Sequence, residues 1–169
     1  NVLGNINQNT LTVETDDDGH FEIPNVFPGD CIVNAQFPHD KPRVWIMAKE
    51  GGAVTVQEGA TTDVTVKMKR GATITGRVID ADTGEIIPYA SVGTSVPNNG
   101  EVRDCDEKGM TYRIVGVQPG QIEIRYNSAY GYPEGDQSTT TSLTADYGQT
   151  VTAPDIHISR GLIASGRVV

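Results

Sequence analysis

The chain has 169 residues, with 13 Lys and Arg against 22 Asp and Glu and a formal net charge of −9. Its few cations are scattered, which argues against the basic face that nucleic-acid binders and anionic membranes require. No apolar run approaches the roughly 20 residues of a membrane-spanning helix, and the 19 Gly with only 6% aromatics suit short strands and tight turns.

Residues 1–13 alternate in part, consistent with one strand near the start and another near Val13. Asp16-Asp17-Asp18-Gly19 follows as a tight turn, with Gly supplying the positive φ. His20 to Ile23 alternates like a strand, and Asn25 to Asp30 reads as a second turn leading into a strand from Cys31 to Phe37. Pro38 to Pro42 breaks that strand, and an extended run resumes from Arg43 to Met47 around Trp45, which is expected in the core. Residues 53–59 and 62–68 form two short strands about a Gly turn, the second with the clean alternation of a half-buried strand.

A second module repeats this order. Arg70-Gly71-Ala72-Thr73-Ile74-Thr75-Gly76-Arg77-Val78-Ile79 opens it, and residues 80–85 form its first turn. Ile86 to Val92 is the next extended piece. Gly109 answers Gly19 at a spacing of 90, and Val117-Gln118-Pro119-Gly120 answers Val26-Phe27-Pro28-Gly29 at 91. Ile122 to Tyr126 then matches Ile32 to Gln36, and residues 138–144 and 151–159 close the module. Short strands with turn signals at this spacing predict a β-sandwich in each module. A second copy of the opening motif, Arg160-Gly161-Leu162-Ile163-Ala164-Ser165-Gly166-Arg167-Val168-Val169, ends the chain. Internal periodicity outranks a length prior, so the expected organisation is a first module at 1–70 that lacks its opening strand, a second at 71–160, and a further first strand at 161–169.

Gly76-Arg77-Val78, Asp82-Thr83-Gly84-Glu85 and Ile87-Pro88-Tyr89-Ala90-Ser91-Val92 resemble the start of carboxypeptidase-regulatory-like domains, and Gly109, Tyr112 and residues 117–120 fit the middle of that family. Asp18-Gly19-His20-Phe21 and Pro28-Gly29 are the parallel in the first module. The resemblance implies tandem all-β, transthyretin-like sandwiches of the Ig-like class. Such domains serve as spacers, stalks or attachments, with no catalytic residues to carry over.

Residue chemistry points the same way. Zinc peptidase chemistry needs two His and a carboxylate on one metal. His20, His39 and His157 lie on separate segments without a ligand motif, so no enzyme and no cofactor are expected. Asp16, Asp18, Asp80 and Asp82 are calcium candidates by their clustered oxygens, yet neither group has EF-hand spacing and Asp-Gly turns account for both. Cys31 and Cys105 occupy non-equivalent repeat positions in different modules and read as buried free thiols, with a covalent staple between neighbouring units as the alternative. Ser138, Thr139, Thr140, Thr141 and Ser142 are candidate O-glycosylation sites or an ordinary Thr-rich strand. Trp45, Tyr126, Tyr130 and Tyr132 are weighed as a sugar-stacking face.

The ends carry the sharpest reading. A sandwich without its first strand leaves core positions open and backbone groups unpaired, and Gly161, Leu162, Ile163, Gly166, Val168 and Val169 form a strand of the type that fills such a gap. Val2, Leu3 and Ile6 are expected to help line the acceptor. The chain is thus expected to be the repeat unit of an extracellular filament, stalk or surface layer. Its partners are copies of itself, in a head-to-tail homopolymer or a tandem array, with glycans as a further partner and no nucleic acid or membrane span. The alternative is an accessory, carbohydrate-binding module of a larger secreted enzyme.

Overall fold

A computed structural model of the chain describes residues 2–6, 9–35, 44–48, 52–95, 101–105, 108–135, 139–161 and 165–167, with the backbone alone for 2–6, 9–10 and 101–105. These residues form strands and loops and no helix. The chain divides into two compact units, Asn1–Arg70 and Gly71–Val169.

In the first unit, β1 (Val2–Ile6), β2 (Asn9–Val13), β3 (Gly29–Ala35) and β5 (Ala53–Val56) make an antiparallel sheet in the order β2-β1-β3-β5. The short strands β4 (Trp45–Met47) and β6 (Met68–Arg70) pair separately. Period-two burial is plain on β3, where Cys31 and Val33 are buried and Asp30 and Ile32 are exposed. The Asp16 turn forms because its carboxylate accepts the N–H of Asp18 at 3.0 Å and of His20 at 2.7 Å. Gly19 takes φ +85° there. These backbone donors, His20 first, hold the Asp16 carboxyl below the ordinary range.

Among the described residues the second unit has a two-stranded pair and two larger sheets with a common core. One is β10 (Glu101–Cys105), β11 (Tyr112–Val117), β7 (Ala72–Gly76) and β14 (Thr150–Thr152), in that order. The other is β13 (Thr140–Ala145), β12 (Gly120–Ser128) and β9 (Ser91–Thr94). The first strand continues past Arg77 as β8 (Val78–Asp80), which pairs in parallel with β15 (Ile156–Ile158). Ile74, Ile114, Ile122 and Ile124, two from each sheet, are fully buried in this sandwich-like core with Tyr126 and Val117. By contrast, Cys31, Val33 and Ala48 are the buried apolar residues of the first unit among those described.

Three sequence expectations need correction. His20 to Ile23 and the stretch from Thr62 to Lys67 belong to no ladder, although burial alternates at Phe21 and Ile23 and at Thr62, Val64 and Val66. Alternation records which side a residue faces, whereas a ladder also needs a hydrogen-bonding neighbour along its length. Among the described residues only the ends of these segments find one, the His20 carbonyl accepting Asp16 N–H and the Lys67 carbonyl accepting Ala48 N–H. Of the extended piece 86–92, Ser91 and Val92 lie in β9, while Ile86 makes an isolated bridge to Ile79. Trp45 is 48% exposed and so is not a core residue.

The contrast between units gives a stability prediction. Ile114→Ala should lower the stability of the second unit by about 2–5 kcal/mol, through lost burial plus a cavity. Ile23→Ala, at the matching place in the first unit, should cost about 1 kcal/mol or less in the monomeric chain. Denaturant unfolding of the two variants against the parent chain measures both.

Candidate functional site

The first unit contains a groove of about 950 Å³. Phe21, Ile23 and Val26 line it from one unladdered segment, Val64 and Val66 from the other, and Cys31 and Val33 from β3. Among the described residues, 21–27 and 61–66 make no backbone–backbone hydrogen bond. Two extended segments therefore flank a groove of mixed polar and apolar lining, and among the described residues their main-chain donors and acceptors have no backbone partner, which is costly wherever water is excluded.

Positive-φ residues align the two units. Gly19, Asn25, Gly29 and Gly59 answer Gly109, Gly116, Gly120 and Gly148, at spacings of 89 to 91. The register agrees, since Gly29 pairs with Val56 as Gly120 pairs with Ala145. On this alignment residues 21–26 are the counterpart of β11, and 61–63 and 66–68 are the counterparts of β14 and β15.

In the second unit those strands clasp the opening strand. β7 runs antiparallel to β11, with Tyr112 opposite Gly76 and Ile114 opposite Ile74, and parallel to β14, with Val151 opposite Ile74. Thr73 N–H donates to the Gln149 carbonyl at 2.8 Å, Ala153 N–H to the Thr75 carbonyl at 2.8 Å, and Ile156 N–H to the Arg77 carbonyl at 3.1 Å. Ala72, Ile74 and Val78 enter the core. The Arg77 guanidinium adds a bidentate bridge to Asp155, at 3.0 and 2.7 Å. The groove of the first unit thus lies between the counterparts of the strands that hold β7 and β8.

A second cluster fixes the end of the opening strand. Asp80 is 1% exposed. Its carboxylate accepts the Tyr132 hydroxyl at 2.6 Å, the N–H groups of Asp82 and Thr83, and Arg160 Nε at 3.1 Å. Arg160 also lies over the Tyr132 ring, 5.6 Å from its centroid. The Tyr132 hydrogen bond leads the causes that lower the Asp80 pKa to about 2, against the opposing effect of burial. Arg160 immediately precedes Gly161 in sequence, so the cluster ties the end of β8 to the start of the last stretch of the chain.

The other sequence-derived sites are placed as follows. Gly161 and Gly166 are exposed and outside any strand, while Leu162, Ile163, Val168 and Val169 lie outside the described residues. For Val2, Leu3 and Ile6 the backbone shows β1 paired on both sides, by β2 and β3. The free backbone therefore belongs to 21–27 and 61–66 instead of β1. Thr139, Thr140 and Thr141 are half-buried and Ser142 is exposed on β13, with Ser138 outside the described residues. Asp16 and Asp80 spend their oxygens on turn N–H groups, and no cluster of three metal-ligating side chains occurs among the described residues. Tyr126 is buried and Tyr132 is bonded to Asp80, so these two do not join the fully exposed Tyr130 in a stacking face. Cys31 is a buried free thiol in the groove, raised in pKa by burial, and the Cys105 side chain is outside the description. Phe21, Ile23, Val26, Val64 and Val66 were missed as site residues; the spacing of 91 from Tyr112, Ile114 and Val117 was the signal that could have found the first three. Compared with models of known families, with characterised proteins and with solved structures, the chain matches none.

A folded-state pKa below the ordinary Asp value means that the unfolded chain holds the proton more tightly. The contribution of Asp80 should be complete above about pH 4 and be lost as pH falls through about 2. Calorimetric melting of the second unit should therefore lose stability across that window, and Asp80→Asn should lower stability at pH 7 and flatten the acid dependence.

Proposed function

We propose that this chain is the structural repeat unit of an extracellular filament, stalk or surface layer. In this reading it carries two Ig-like sandwiches, the first lacking its opening strand, and residues 161–169 of one copy fill the groove of the next. The observation that carries the proposal is the groove between residues 21–26 and 61–66, the counterparts of the strands that clasp β7 and β8.

The donor segment is a close copy of what that clasp holds. Gly161, Gly166, Arg167 and Val168 repeat Gly71, Gly76, Arg77 and Val78. The core pair Ala72 and Ile74 becomes Leu162 and Ala164, which exchanges the large and small positions while keeping the carbon count. Each large apolar side chain so buried contributes about 1.5–3 kcal/mol, and the strand supplies partners for the free backbone of both flanking segments. At about 3.3 Å per residue, nine residues extend roughly 30 Å. Because donor and acceptor are different surfaces, each added copy leaves a new donor and a new acceptor at the ends, and a contact of this kind that does not close into a ring grows as a filament. Where the same polypeptide instead supplies the strand from a preceding segment, the junction is the same and the product is a covalent tandem array.

The test is the double variant Leu162→Asp with Val168→Asp, whose positions match the buried Ala72 and Val78. Negative-stain microscopy and sedimentation should show filaments for the parent chain and monomers for the variant, with the near-ultraviolet signal of the second unit unchanged. Cys31 should also alkylate faster in the variant, because its groove stays empty. Filaments of normal length from the variant, or a parent chain that stays monomeric with Cys31 freely alkylated, would overturn the proposal.

A further inference from the structure

The way the second unit holds β7 also says in which register a donated strand can sit. Resting on the donor-strand reading above, we infer that residues 161–169 of a second copy enter the groove in one register, keyed by Gly166 against Phe21 and by Ser165 beside Asp63.

Two close approaches along β7 leave no room for a side chain. A Cβ on Gly76 would collide with Tyr112, meeting its hydroxyl oxygen first and then the ring itself, whose Cζ is 2.5 Å away. A Cβ on Gly71 would lie 2.7 Å from the Gly116 Cα, where β11 bulges at positive φ. By the spacing of 91, related residues line the groove of the first unit. Phe21 occupies the place of Tyr112 and Asn25, at φ +59°, that of Gly116. The donor meets them with Gly166 and Gly161 at the places of Gly76 and Gly71. An aromatic ring laid over a strand glycine pins register. A slip of one residue would turn the apolar set of the donor away from the groove. A slip of two would bring Ala164 or Val168 under Phe21, where the Tyr112 geometry admits no Cβ.

The junction also carries a pair that the intact unit lacks. In the second unit Thr75 and Thr152 are hydrogen-bonded through their hydroxyls at 3.2 Å. At the junction Ser165 stands for Thr75 and the exposed Asp63 for Thr152, so a hydroxyl donor faces a carboxylate, a stronger, charge-assisted arrangement. Tyr112 has a buried hydroxyl without a hydrogen-bond partner, and Phe21 has none to satisfy. The groove is thus fitted to 161–169 at positions where it differs from 71–79.

The experiment uses the Leu162→Asp, Val168→Asp chain as acceptor and fluorescent synthetic peptides of residues 160–169 as donors, read by anisotropy. The native peptide should bind, and the Gly166→Val peptide should bind at least tenfold more weakly. Adding Ala164→Gly to that peptide, which moves the glycine by two places, should restore nothing. A Phe21→Ala acceptor should recover affinity for the Gly166→Val peptide; if that acceptor does not fold, the shifted-glycine peptide alone decides. Equal binding of the native and Gly166→Val peptides, or rescue by the shifted glycine, would overturn the register while leaving strand donation intact. No binding of the native peptide would overturn the donor-strand reading itself, and the register with it.

Discussion

The interaction on which the second unit depends is the clasp around its opening strand. β7 satisfies one row of main-chain groups against β11 and the other against β14, and β8 continues the parallel arrangement beside β15. It also delivers Ala72, Ile74 and Val78 into the core. Removing such a strand would free two rows of backbone groups and open the apolar interior at once. The first unit has segments at matching spacings, and a groove lies between them.

The two units differ in their polar chemistry as well. Arg77 is bridged to Asp155, while Thr65, ninety places before Asp155, carries no carboxylate. Asp80 gathers a hydroxyl, two amides and a guanidinium at the end of β8, and its burial is tolerable because each of these favours the ionised form. Net burial of a charge is a cost that only such complete pairing offsets. The carboxylate thereby ties the first strand of the unit to the residue from which its last segment departs.

Much of the fold was legible in the sequence because glycines mark places where the backbone leaves the usual φ range. Gly19 and Gly109, and Gly29 and Gly120, predict turns at matching spacings and take positive φ in both units. Less legible was whether an alternating segment finds a ladder. Phe21 to Ile23 and Thr62 to Val66 carry the pattern of strands, but pairing depends on a neighbour distant in sequence, and alternation cannot name that neighbour. The sequence repeat pointed to a strand-sized gap in the first unit but did not name the residues that line the groove there. They emerge from the topology of the second unit, where the opening strand runs between β11 and β14. Trp45 was misjudged for a related reason: its size favours burial on average, yet it lies on β4, a short strand of a two-stranded pair with little apolar surface to cover it.

The anchorage of Arg160 at Asp80 also has a mechanical meaning. Tension on residues beyond Arg160 passes first to this ion pair and to the Tyr132 ring, then along β15 to its parallel neighbour β8. Such a load acts along the strands, so the hydrogen bonds between them must yield together instead of unzipping singly from one end. Rupture under force is governed by the height of that barrier and not by equilibrium stability. A pull applied at this end of the chain would therefore be resisted in shear, with the buried carboxylate as the clamp.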